Sequence, residues 1–145
     1  MKSINGFSLI EIIIVITALI IIAALTIPVG VNFYKKELLN ETSQDVLNIV
    51  RSAREKAIFQ KNDSNFGVKF FSGSYVSFRG DSYDSRIPGE DEDYYLPIGI
   101  SIIGLDQIVF AKLTGNPSVA GIITISFGSE EHKILINEQG LAEIQ

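Results

Sequence analysis

Apolar positions are distributed very unevenly along this chain. Residues 7–28, FSLIEIIIVITALIIIAALTIP, are apolar almost throughout and carry a single charge, Glu11. As an α-helix this stretch is about 33 Å long at ~1.5 Å per residue, enough to cross a hydrocarbon core of about 30 Å. Pro28 and Gly30 interrupt the helical pattern at its far end. Proline removes a backbone hydrogen bond and crowds the preceding turn, so a kink is expected at Pro28, unless the helix simply ends at Ile27.

The pattern then becomes amphipathic. Across residues 34–60, Leu39, Val46, Val50, Ala53 and Ala57 recur at helical spacing, while Lys36, Glu37, Glu41, Asp45, Arg51, Arg54, Glu55 and Lys56 fill the other faces. One apolar face of this helix is expected to pack on a sheet, with no cofactor implied. The turn residues Asn62, Asp63, Ser64 and Asn65 should end it. Beyond them the period shortens, and β-type runs are expected at 66–71, 75–78, 98–103, 107–112, 121–127, 133–136 and 141–144. Hairpin turns are expected at 129–131 and 137–140. Residues 79–93 have no strand pattern and should form an exposed loop. The fold class is therefore α+β, a long N-terminal helix packed on a mainly antiparallel β-sheet.

Composition refines this picture. The chain has 145 residues, room for one modest domain plus an anchor. Its apolar fraction of 46% is concentrated in residues 7–31, so the remainder reads as ordinary globular sequence. There is no cysteine, which excludes disulfides, thiolate metal sites and cysteine nucleophiles. A formal net charge of −5 argues against a nucleic-acid surface, which needs clustered Lys and Arg. The acids at Asp81, Asp84, Glu90, Asp91, Glu92 and Asp93 offer oxygen ligands, but their spacing does not match an EF-hand. A solvated loop is the better reading of 79–93, and no metal site is assigned.

The N-terminus carries the most chemistry. A short leader, residues 1–6, contributes Lys2 and ends in Gly6 immediately before the apolar run. A secretory signal would place its small-residue cleavage site after that run instead. Counting Lys35 and Lys36 against Lys2 would put the C-terminal part on the inner side of the membrane. A charge at the centre of a span costs about 2.5–3.5 kcal/mol on the insertion scale. Even nearer the end, Glu11 needs a partner, a proton or the headgroup layer. Cleavage between Gly6 and Phe7 would create an α-amino group at the depth of Glu11, available to the carboxylate of a neighbouring helix.

The sequence Gly6-Phe7-Ser8-Leu9-Ile10-Glu11, abutting an apolar helix, closely resembles the class III signal of type IV pilins and type II secretion pseudopilins. The resemblance implies cleavage by a prepilin peptidase after Gly6, N-methylation of Phe7, an assembly role for Glu11 and a kink at Pro28. Ser8 stands where the family often has threonine. It further implies a cytoplasmic leader and a C-terminal domain outside the inner membrane, against the lysine count. The implied organisation is a cleaved leader (1–6), a transmembrane and filament-core helix (7–31) and a globular pilin-like domain (32–145) that is helical to about 61.

Four further segments resemble the GspH/FimT-like minor pseudopilins and minor pilins. They are residues 52–58, residues 108–110 with Leu113-Thr114-Gly115, residues 121–125, and residues 134–140. The implied partners are other pilins or pseudopilins, the prepilin peptidase and inner-membrane lipid. Some members of that branch bind DNA through basic C-terminal surfaces. Residues 137–145 hold Glu138 and Glu143 without Lys or Arg, so this activity is not carried over.

No catalytic constellation stands out. His132, the sole histidine, sits beside Glu130 and Glu131 and reads as part of a charged hairpin tip. The stretch 115–121 lacks the Lys-Ser/Thr ending of a phosphate loop. Arg51, Arg54 and Lys56 are expected to pair with acids on their own helix. The chain therefore reads as a minor filament subunit, with no enzymatic activity and no cofactor. A DNA-capturing competence pilin and a single-pass anchored domain are the alternatives.

Overall fold

The computed structural model describes residues 6–59 and 63–145, and only the backbone of Leu25, Ile27 and Pro28. Leader residues 1–5, the expected helical residues 60–61 and the expected turn residue Asn62 lie outside the described residues. The chain divides into two compact units, Met1–Lys36 and Glu37–Gln145.

In the first unit, helix α1 (Leu9–Ile58) begins and runs on without a break through Pro28 and Gly30 into the second. The helix therefore does not end at Ile27: the amide missing at Pro28 costs a bond without stopping it. Every described side chain up to Glu37 is exposed. Thr17 and Thr26 donate their hydroxyls to the carbonyls of Ile13 and Ile22 at 2.7 and 2.8 Å, which satisfies both polar groups within the helix itself.

The second unit gives its stretch of α1 a core. Leu39, Val46, Val50, Ala53 and Ala57, the stripe legible in the sequence, are at most 1% exposed. Thr42 and Ser43 are also buried, and both donate to carbonyls one turn back. The sheet residues form two four-stranded antiparallel layers rather than one. The first contains β1 (Phe66–Phe70), β2 (Ser74–Arg79), β3 (Glu92–Tyr95) and β5 (Gln107–Phe110), in the order β3-β2-β1-β5. The second contains β4 (Ile100–Gly104), β6 (Gly121–Phe127), β7 (Glu130–Ile136) and β8 (Ala142–Ile144), in the order β4-β6-β7-β8. Phe66, Val68, Phe70, Ile108 and Phe110 from the first sheet join Ile100, Ile102, Ile123, Ile125, Ile134 and Ile136 from the second in one core with the helix.

Residues 79–93 are more ordered than a solvated loop. They contain a 3-10 turn (Pro88–Glu90) and the start of β3, which pairs with β2 from Ser74↔Tyr95 to Ser77↔Glu92. The sequence EDYY has no apolar alternation, and as an edge strand it needs only backbone pairing on one side. Tyr83 lies edge-on to Phe78 and Phe71, with ring centroids 5.7 and 5.6 Å away. It thereby helps cover the outer face of the first sheet, where Phe78 lies over its register partner Gly67.

The β6–β7 hairpin turns through Gly128 and Ser129, so Glu130, Glu131 and His132 belong to β7 rather than to a hairpin tip. Gly128 supplies the positive φ, 66°, of this two-residue turn. Between β7 and β8, the Asn137 side-chain oxygen accepts from the amides of Gln139 and Leu141 at 3.0 and 2.9 Å.

Phe110 is fully buried, whereas Ile103 is 63% exposed on an outer sheet face. Phe110→Ala is expected to destabilise the globular unit by about 3–5 kcal/mol. Ile103→Ala should stay within about 0.5 kcal/mol of the parent. Urea denaturation followed by tyrosine fluorescence, unobscured because the chain has no tryptophan, measures both.

Candidate functional site

Gly6, Phe7 and Ser8 precede the first turn of α1 and have no regular secondary structure. The Gly6–Phe7 peptide bond is flanked by exposed residues, with Phe7 81% exposed. The helix starts when the Ser8 carbonyl accepts from the amides of Glu11 and Ile12 at 3.1 and 3.3 Å. Glu11 thus falls in the first turn, where a carboxylate complements the unpaired amides and the positive end of the helix dipole. Phe7 and Glu11 border one shallow groove with Ile12, Val15 and Ile16. Among the described residues, the Glu11 carboxylate has no ion-pair or hydrogen-bond partner. Pro28 lies more than four turns further along the same helix. Among the described residues this is the one helix long and apolar enough to cross a membrane.

The cations near the end of α1 are not paired along its surface, as their spacing had suggested. Arg51 donates through Nε and Nη2 to the Ala142 carbonyl at 3.2 and 2.8 Å. Arg54 donates through Nη2 to the Gln139 carbonyl at 3.1 Å. Lys56 reaches both carboxylate oxygens of Glu92 on β3 at 3.0 and 2.9 Å. The stop of α1 is also held from outside, because the Leu113 amide donates to the Ala57 carbonyl at 3.0 Å.

Two glycines permit this closure. Gly140 adopts φ 77°, and a Cβ there would lie 2.3 Å from the Gly115 carbonyl oxygen and 2.9 Å from Arg54 Nε. A Cβ on Gly115, at φ 66°, would lie 2.6 Å from the Ile58 side chain. Three segments far apart in sequence, 52–58, 113–115 and 137–140, therefore meet around Arg54.

Among solved structures, this chain is similar to the minor pseudopilin EpsH from the type 2 secretion system of Vibrio cholerae. The TM-score is 0.57 at 12% sequence identity, over 73% of this chain and 94% of that one. The fold is pseudopilin-like. No protein-family model matches the sequence, and no curated protein is significantly similar to it.

Within this pseudopilin-like fold the remaining candidate groups fall into place. His132 faces Ile125 across the β6–β7 ladder, and its Nδ1 is buried without a hydrogen-bond partner. Among the described residues, no three His, Asp or Glu side chains converge as metal ligands would. In residues 79–93, Arg79 pairs with Glu90 at 2.8 Å and Arg86 with Asp91 at 2.7 Å. Asn65 donates to Asp81 at 2.7 Å. The Asp91 hydrogen bond raises the Arg86 guanidinium above its usual range, and Arg86 stacks 3.8 Å from the Tyr83 ring centroid. This acidic stretch is thus cross-braced by arginine, a use of those residues that their spacing did not reveal.

Sequence reasoning also passed over Tyr75 on β2, which is 4% exposed and stacks on Tyr94 at 5.1 Å. Burial first, then the charge of Asp45 and the neighbouring Tyr94, push its pKa from 10.0 up to about 12. Because the folded value lies above the unfolded one, this group's contribution to stability is intact below pH 10 and lost as pH rises through 12. Tyr75→Phe is expected to flatten that alkaline decline, as read from urea midpoints across the window. An unchanged slope would show that Tyr75 does not set it.

Proposed function

We propose that this chain is a minor structural subunit of a type II secretion pseudopilus or a type IV pilus. The observation that carries the reading is a helix whose first half is apolar and exposed at every described side chain, opening on a groove shared by Phe7 and Glu11. The pseudopilin-like globular unit supports it.

The chemistry follows from the bilayer. Residues 7–31 anchor the precursor in the inner membrane with the leader in the cytoplasm and the globular domain outside. A prepilin peptidase hydrolyses the exposed Gly6–Phe7 bond, and the freed Phe7 amine becomes N-methylated. That amine remains a cation, created at the depth of Glu11. In low dielectric an unpaired carboxylate is costly, and a hydrogen-bonded ammonium is the partner that offsets the cost. Glu11 of an incoming subunit meets the Phe7 amine of its neighbour, which fixes register while the apolar surfaces exchange lipid for helix. Pro28 provides the bend that lets neighbouring helices follow the filament. The chain is the substrate of the peptidase and performs no catalysis itself.

Glu11→Ala removes the carboxylate without touching the cleavage junction. It should leave leader removal intact and reduce recovery of the chain in sheared filaments by about tenfold or more, the effect of losing a charge-assisted hydrogen bond in a dry site. Quantitative immunoblotting of membrane and filament fractions measures both steps. Recovery equal to the parent would contradict the assembly role of Glu11.

A further inference from the structure

A second feature lies at the start of the globular unit, where α1 passes the β3–β4 connection. Glu41, Asp45, Tyr75 and Tyr95 surround a cavity of about 230 Å³ that is also lined by Leu38 and Leu96. Glu41 and Asp45 stand one helical turn apart on the same face and repel each other, yet among the described residues neither carboxylate has an ion-pair or hydrogen-bond partner.

The second observation is independent of the acids. Tyr75 is 4% exposed and borders the cavity, and its hydroxyl makes no hydrogen bond. The phenol oxygen is not sealed in the core but open to the cavity it borders, where water or an incoming polar group supplies its partner. Asp45 lies close enough for its charge to act on that phenol. Tyr95 is 82% exposed and offers an aromatic face at the rim. Two carboxylates, a phenol oxygen and an aromatic face make up the recognition chemistry of an ammonium or guanidinium head. The volume is below the roughly 300–1,000 Å³ of drug-sized ligand sites, which favours one side-chain head over a free small molecule.

We propose that this pocket receives a lysine or arginine side chain from an adjacent subunit of the filament. The inference rests on the function proposed above. If neighbouring apolar helices lie side by side, the first turns of the globular unit beyond Lys36 are the part that a neighbour's chain reaches next. Glu41 and Asp45 share the cation, Tyr75 accepts a hydrogen bond from it, and Tyr95 shields it from water.

The test uses the full chain in its native host, with Tyr95 replaced by the photoreactive residue p-benzoylphenylalanine. Illumination should yield a cross-link to a filament subunit within a segment carrying Lys or Arg, identified by mass spectrometry. Glu41→Gln combined with Asp45→Asn, both exposed surface changes, should lower the yield about tenfold. Asp45→Lys should abolish the cross-link, and changing the partner's basic residue to glutamate should restore it. A yield indifferent to both carboxylates, a cross-linked segment without a basic residue, lipid adducts alone, or no product would each overturn the pocket's role. If such a result came with normal Phe7 processing and normal filament recovery, the pocket proposal would fall alone. A chain that is never processed would sink both.

Discussion

Apolar surface must leave water, and the single helix α1 meets that demand in two ways. Residues 37–58 turn Leu39, Val46, Val50, Ala53 and Ala57 onto a core shared by two sheets of the same chain. Burying a large aliphatic side chain is worth about 1.5–3 kcal/mol, so this face secures the globular unit. The described side chains before it are all exposed and, from Leu9 to Val31, almost all apolar. A helix apolar on every side belongs inside a bilayer or a bundle of its own kind. The backbone does not change character between the two halves. Only the side chains do, and this contrast is the physical root of the proposed life cycle, first in lipid and then among neighbouring helices.

The globular unit is closed by contacts to backbone carbonyls. Arg51 and Arg54 reach from the helix to Ala142 and Gln139, and the Leu113 amide meets the final helical turn. Gly115 and Gly140 keep the approach free of Cβ atoms. Charge-assisted bonds to main-chain carbonyls require a position and a small neighbour more than any particular side chain on the partner strand. Such an arrangement tolerates wide change in the side chains of the partner strand.

Much of this was legible from residue pattern. The helical stripe, the seven β-type runs and the α+β class all follow from periodicity, because burial on one face writes period 3.6 or 2 into the sequence. β3 escaped because an edge strand such as EDYY needs no apolar alternation. His132 lies in β7 rather than in a hairpin tip because the two-residue turn at Gly128-Ser129 starts the strand at Glu130, three positions before the expected residue 133. The division into two sheets depends on non-local pairing that no local window contains. The roles of Arg51, Arg54 and Lys56 were misread because acids on their own helix are the neighbours visible in sequence, whereas the partners used lie 36 to 91 residues away. Tyr75 and the pocket beside it depend on β2 meeting α1, which only the folded chain brings about.

The amine that answers Glu11 exists only if Phe7 becomes the mature N-terminus. Intact-mass and N-terminal peptide mass spectrometry of the protein purified from its native membranes decides this directly. The expected product is a chain lacking its first six residues and carrying one added methyl group on Phe7. A chain still beginning at Met1, in cells whose processing peptidase is demonstrably active, would contradict it.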